Sequence, residues 1–412
     1  MEASSKITND IKDFILDGIE LGQPKIVGKE DSFWQKLNQT GTELWLDTGD
    51  LDEAAKIWTA DMSALTTNNT LLNKEIQKGI YDQYVNEVNA LLDGLSLEEK
   101  IMEIAFVLNA RHGLRLVETF GGKVSVELHT AISHDLDAIV AYGKRFHDIC
   151  PDNFIVKVPL TATGLLGARK LREAGIPINF TLEFSARQNA LVSYVAKPNY
   201  LNVFLGRLNA YVIDNNLGDG NLIGEKATLS TQRAVTEITK NNEVPTRLIA
   251  ASLRSAEQLE ALAGVNVFTM PTAVAQKGKE TLNGNFQSKV SEDYSVKFNE
   301  GIDADKEGLN KLWNITEQES SFFASLDQDV PSTGKELEER AREAGLTDMF
   351  PILSDAEHKK IATDGKIPVH KTWQEKIHKN EIAPDTLLNL AGLYSFTDDQ
   401  NALDKRIEGI IA

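Results

Sequence analysis

From about residue 43 to residue 275 the chain alternates without a break between short apolar runs and helical patterns. The runs are ELWLD (43–47), SALTTNN (63–69), KVSVELH (123–129), NFIVKVPL (153–160), INFTLEF (178–184), YLNVFLG (200–206), TRLIAAS (246–252) and VNVFTMP (265–271). Helical segments follow each of them, including 52–60, 71–95, 135–148 and 162–174, the last stopped by Gly175. Three are opened by Ser-x-x-Glu/Gln pairs, Ser96–Glu99, Ser185–Gln188 and Ser255–Gln258, which read as capping boxes. Strands this apolar, each followed by a helix, imply a parallel α/β sheet covered on both faces. Eight units suggest closure into a (β/α)8 TIM barrel. A doubly wound sheet is the competing fold, but no Gly-x-Gly-x-x-Gly turn supports it.

Residues 1–42 read as an N-terminal helical segment, with Ile7, Ile11, Phe14 and Ile15 at helical spacing. Residues 43–300 form the expected barrel. Beyond it the alternation stops, and 301–412 reads as a helical extension packed on the barrel, with polar joints at 331–334, near Pro351 and at 365–368.

The 412 residues carry 61 acids against 43 bases, a formal charge of −18. Such a surface repels nucleic acid and anionic membranes, so neither is expected as a partner. A small anionic substrate is still allowed, because it feels the local field of its pocket. The lone cysteine, Cys150, excludes an internal disulfide and a thiolate metal cluster, and the seven histidines show no metal-binding spacing. The first residues resemble neither a secretory signal nor a transit peptide, and no run approaches about 18 apolar residues. A cytoplasmic protein is expected, and a homodimer is compatible with the sequence.

Barrels place reactive groups at the C-terminal ends of their strands. The polar residues there are Asp47, Asn68, Glu127, Lys157, Asn179 with Thr181, Asn202, Ser252 and Arg254. Lys157 stands inside IVKVP. Burial disfavours an ammonium, so a lysine there is suited to attack a carbonyl and form an imine. The alternatives are a lysine reaching the rim or paired with a structural acid. Glu127 can organise the proton transfers of imine chemistry, or simply neutralise Lys157. Asp47 suits a base acting on a substrate hydroxyl; its alternative is a helix cap, for which Asp50 is the better placed. Asn179 and Thr181 alternate with apolar residues and share one face, where they bind substrate or a water, or form a core network. Asn68 allows both readings. Arg207 and Arg254 follow strands and match the fork geometry of a phosphate, with Ser252 and the helix start near residue 255 adding donors.

Taken together these strings resemble the transaldolase family. LDTGD (46–50), TTNNTLL (66–72), SVELHTAISHD (125–135), IVKVPLTATG (155–164) and INFTLEFSARQ (178–188) are similar to its motifs, in the same order. FLGR, AASLRS and the tail GLYSFTDDQNALDKRIEGI extend the match. The resemblance implies Lys157 as Schiff-base lysine, Asp47 as acid–base aspartate, and Glu127 with Thr181 as holders of a water. It implies Asn68, Asn179, Asn202, Arg207, Ser252 and Arg254 as substrate-binding residues. The implied reaction moves a dihydroxyacetone unit from sedoheptulose 7-phosphate or fructose 6-phosphate to glyceraldehyde 3-phosphate or erythrose 4-phosphate. It belongs to the pentose phosphate pathway and needs neither metal nor cofactor. Two departures stand out: Asn69 replaces the family's proline, and Asn202 replaces a serine, with an amide still able to donate to phosphate. An aldolase acting on fructose 6-phosphate is the nearest alternative; that branch resembles this chain less, having glutamine at Glu127 and tyrosine at Phe204. A silent barrel acting as a binding subunit is the other.

Overall fold

The computed structural model describes residues 5–412. Eight parallel strands close into a barrel in chain order: β1 (Glu43–Asp47), β2 (Met62–Thr66), β3 (Lys123–Glu127), β4 (Phe154–Pro159), β5 (Ile178–Thr181), β6 (Tyr200–Phe204), β7 (Arg247–Ala251) and β8 (Val267–Met270). β4, β5, β6 and β8 are buried along their whole length, as strands filled inside and covered by helices outside must be. The N-terminal helix Ser5–Leu16 buries Ile11 and Ile15 completely, on the face its spacing indicated. Among the described residues no helix is long and apolar enough to cross a membrane.

The structure departs from the sequence expectation at element ends, for local reasons. The helical pattern 71–95 is two helices, Asn69–Gln77 and Asp82–Leu91, parted at Gly79, whose φ of 78° cannot continue a helix. β2 stops at Thr66 because Asn68 caps the next helix, accepting the Leu71 N–H at 2.9 Å. β5 stops at Thr181 because Leu182 adopts a left-handed φ of 73°. The Ser255–Gln258 capping box does not form. Gln258 Oε1 instead accepts the N–H groups of Arg254 and Ser255, and the helix there is only Glu257–Ala261. Those two amides are therefore not free for a phosphate. Ser185 does cap its helix, while the Gln188 side chain reaches one residue further back, to the Phe184 N–H.

After residue 300 the chain folds into the helices Glu317–Gln328, Gly334–Glu343, Asp355–Asp364, His370–His378 and Pro384–Ile411. The last helix lies over the C-terminal rim of the barrel. Its Asn389 Nδ2 donates to the carbonyls of Leu160 and Leu182, just beyond β4 and β5. The tie is electrostatic as well. Arg187, buried in the helix Ala186–Val195, pairs with Asp385 and Asp348 at 2.8 Å and with Glu319 at 3.1 Å. Burial alone would raise the Asp348 carboxyl, but Arg187 and Lys311 hold it below the usual carboxylate range.

Removing the arginine leaves Asp385 and Glu319 buried without a counter-charge, while Asp348 keeps Lys311, and such a loss costs about 3–5 kcal/mol. Arg187→Ala is expected to lower stability by that amount at neutral pH, measured by chemical unfolding. An acid whose pKa is depressed on folding contributes stability that is lost as pH falls, so the gap to the parent should narrow toward acid pH. An unchanged unfolding midpoint at pH 7 would contradict this role.

Candidate active site

Strand register brings the candidate residues together. Glu127 pairs with Lys157 across β3–β4, and Lys157 with Asn179 across β4–β5, so three neighbouring strands set three polar side chains at one level. Pro159 pairs with Thr181 one step higher. Lys157 is 4% exposed and Glu127 2%. The lysine Nζ donates to the Thr67 carbonyl at 3.0 Å and lies 3.5 Å from Glu127 Oε2. Burial raises the Glu127 carboxyl above its ordinary value, although Lys157 and the Asn69 N–H pull the other way.

Asp47 ends β1 and caps no helix. Asp50 does that, accepting the N–H groups of Asp52 and Glu53. Thr66 Oγ1 donates to Asp47 Oδ1 at 2.8 Å and lies 2.6 Å from Thr269 Oγ1. A hydroxyl has one proton, so Thr269 must be the donor to Thr66, and the chain Thr269–Thr66–Asp47 fixes the carboxylate. Burial raises Asp47 as well, opposed by Lys157 and Thr66.

A second chain fixes Asn202. A carbonyl can only accept, so the contact with the Phe180 carbonyl identifies the Asn202 atom there as Nδ2. The same nitrogen donates to Asn179 Oδ1 at 2.8 Å, and Asn179 Nδ2 donates to Ser125 Oγ at 2.9 Å. The Asn202 amide is thus committed to the barrel, and the expectation that it donates to a phosphate fails. What it has left for a ligand is its Oδ1, an acceptor.

Asp47, Asn68, Lys157, Asn202, Arg207, Ser252 and Arg254 line one cavity of about 280 Å3 at the C-terminal mouth of the barrel. Glu127, Asn179 and Thr181 stand behind its wall, with Thr181 Oγ1 buried and unpartnered. The cavity also takes Thr66, Thr70, Lys74, Phe204, Thr269, Lys366 and Phe396, none of which the sequence alone assigns to binding. Thr66 and Thr269 had a signal, as hydroxyls at strand ends. Lys366 had none, and Phe396 lies in the tail string that extends the family resemblance, with no role assigned to it there. A larger cavity of about 440 Å3 between barrel and extension touches His134, Glu338 and Arg342 but none of the strand-end candidates. Among the described residues no group of three or more His, Cys, Asp or Glu is placed to hold a metal.

Arg207 sits in the first turn of the helix Leu205–Asp214, 6% exposed, with Nη1 buried and unpartnered. Burial and the neighbouring Arg254 push it down to about 10. Its guanidinium lies near the rings of Phe204 and Phe396, at 5.3 and 5.6 Å. A buried guanidinium lacking an acid partner is a ready site for an anion. Ser252, at φ 62°, and Arg254 reach the same space because Gly206 lets the chain after β7 pass close by. A Cβ on Gly206 would collide with the Ser252 carbonyl and lie 2.6 Å from Arg254 Cγ.

Gly206→Ala is therefore expected to weaken inorganic phosphate binding and to cost about 1–3 kcal/mol of stability. Calorimetry and thermal unfolding read the two effects. Unchanged phosphate affinity would show that this close passage does not shape the anion site.

The chain matches the family model described as Transaldolase/Fructose-6-phosphate aldolase over residues 44–319. It is 35% identical over 237 residues to a probable transaldolase of Thermus thermophilus, covering 56% of this chain and 88% of that protein. It is similar to a transaldolase of Xanthomonas euvesicatoria, 25% identical over 327 residues, 77% of this chain and 92% of the relative. It is also similar to a transaldolase of Chlamydia muridarum, 27% identical over 304 residues, 71% and 88% of the two chains. An enclosed lysine at the mouth of an eight-stranded barrel, acids beside it and a matching segment that spans all eight strands lead to one assignment: the chain belongs to the transaldolase/fructose-6-phosphate aldolase family of enzymes.

Proposed function

We propose that the protein is a transaldolase that carries a dihydroxyacetone unit on Lys157. The observation that supports this most is the enclosure of the Lys157 amine, 3.5 Å from a buried glutamate, in a cavity that Asp47 also lines. To attack a ketone the amine must be uncharged, and Glu127, made more basic by burial, is in place to take its proton. The amine adds to the C2 carbonyl of the ketose. Glu127 and Thr181, through a water, relay the protons with which the carbinolamine loses its hydroxyl as water and becomes an imine. Asp47 removes the C4 hydroxyl proton, the C3–C4 bond breaks, and the electron pair passes to the imine as an enamine. The aldose leaves, and the three carbons wait on Lys157 for an acceptor aldehyde. Arg207 and Arg254 hold the phosphate of donor and acceptor in turn, with Ser252 beside them. Asn68 and Asn202 orient the sugar hydroxyls, Asn202 as an acceptor, and Asn179 behind the wall holds Asn202 in place. Sedoheptulose 7-phosphate and fructose 6-phosphate are the proposed donors, glyceraldehyde 3-phosphate and erythrose 4-phosphate the acceptors.

A fructose 6-phosphate assay with and without erythrose 4-phosphate separates transfer from simple cleavage. Acceptor-dependent formation of sedoheptulose 7-phosphate is expected, with little free dihydroxyacetone. Rapid release of dihydroxyacetone without acceptor would make the protein an aldolase instead. Lys157→Ala should remove activity and keep the fold, judged by circular dichroism.

The carboxylate pKa shifts give a second test. Asp47 works as a base only when ionised, and burial raises it, so activity must be lost as pH falls through that raised value. The acid limb of kcat/KM should lie above the ordinary aspartate value of about 4. A limb at or below that value would remove Asp47 from the proposed role.

A further inference from the structure

Besides Lys157, four cations line the cavity: Lys74, Arg207, Arg254 and Lys366. Among the described residues none of them forms an ion pair. Besides Asp47 and Glu127, the acid that acts on the group is Asp399, which accepts from Thr70 Oγ1 at 2.5 Å. Like charges gathered round one space repel, and the arrangement is relieved when an anion enters. Two arginines already match the fork geometry of one phosphate. Lys366 is the addition, and it comes from the extension rather than from a strand end.

Its loop is firmly placed. Gly365, at φ 76°, ends the helix Asp355–Asp364, and the chain then turns past the cavity. Asn215 clamps the far side of the turn: its Nδ2 donates to the Pro368 carbonyl at 3.0 Å and its Oδ1 accepts the His370 N–H at 2.8 Å. Tyr211 Oη and His370 Nδ1 meet at 2.6 Å in a buried contact, and His370 Nε2 lies 2.8 Å from Glu307. Tyr211 belongs to the helix that carries Arg207 in its first turn, and Asn215 is the residue that follows it. One helix thus positions both the arginine and the loop that brings the lysine. Lys366 feels Arg207, Lys74 and Arg254 across the opening.

Resting on the transaldolase reading, we propose that Lys366 is a specificity-determining residue that contacts the substrate phosphate opposite Arg207 and Arg254 and selects a dianionic phosphate over a neutral or singly charged terminus. The extension would then complete the site and not only brace the barrel. The third cation matters most for the second negative charge. A carboxylate or sulfonate tail gains less from it, and an unphosphorylated sugar gains nothing.

Lys366→Met is expected to raise KM for fructose 6-phosphate about tenfold, the range of one charge-assisted contact at an exposed site, with kcat nearly unchanged. The dissociation constant of inorganic phosphate, measured by calorimetry, should rise in parallel. kcat/KM for unphosphorylated fructose should stay as it was, and Lys366→Arg should restore most of the loss. Equal KM and phosphate affinity in Lys366→Met and parent would overturn the proposal. So would an equal loss with fructose and fructose 6-phosphate, which would mean that the loop only shapes the cavity. Absence of transfer by the parent enzyme would sink the transaldolase reading separately, and phosphate affinity would still decide the role of Lys366.

Discussion

The enclosure of one amine among strand ends is the constraint on which the rest of the structure depends. Lys157 cannot leave its strand position without opening the barrel, and its stem is packed inside a run of buried residues. The charge it would carry is answered by Glu127 at 3.5 Å and by the Thr67 carbonyl at 3.0 Å. The first is a side chain set beside Lys157 by strand register and the second a backbone group, because β2, β3 and β4 are consecutive staves of the barrel. The same logic repeats around the mouth. Asp47 is fixed by hydroxyls from β2 and β8, and Asn202 by groups on β5. A closed sheet therefore supplies rigid placement of polar groups at the mouth of the barrel, the condition under which fixed charges act without first having to reorganise.

The extension gives that site its roof. The helix Pro384–Ile411 crosses the rim, contributes Phe396 beside Lys157 and Arg207, and is anchored through Asn389 and the Arg187 ion cluster. Gly392 on the same helix sits where a Cβ would press on the Arg207 guanidinium, 3.0 Å away, so the helix is shaped to lie close over the anion site. Stability and recognition are thus linked: the contacts that hold the extension down also set the roof of the cavity.

Much of this was legible in the sequence. The alternation of apolar runs and helices leads to the closed barrel, and a lysine inside IVKVP with a glutamate inside VSVEL stands out because ionisable groups are rare in strand cores. Element ends were less legible, since they depend on single backbone conformations such as Gly79 and Leu182 and on which donor wins a side chain, as Gln258 shows. The orientation of Asn202 was beyond sequence reasoning. An amide can donate or accept, and only the neighbouring Phe180 carbonyl decides which end faces the cavity. Lys366 was hidden for a different reason: it reaches the site through tertiary packing from more than 150 residues after Lys157 and Asn202, and no local pattern marks it.

The most direct test of the central claim is reductive trapping. Incubation with dihydroxyacetone and borohydride, followed by peptide mass mapping, should place a single reduced three-carbon adduct on the peptide that contains Lys157. A label on any other lysine, or none at all, would contradict the account.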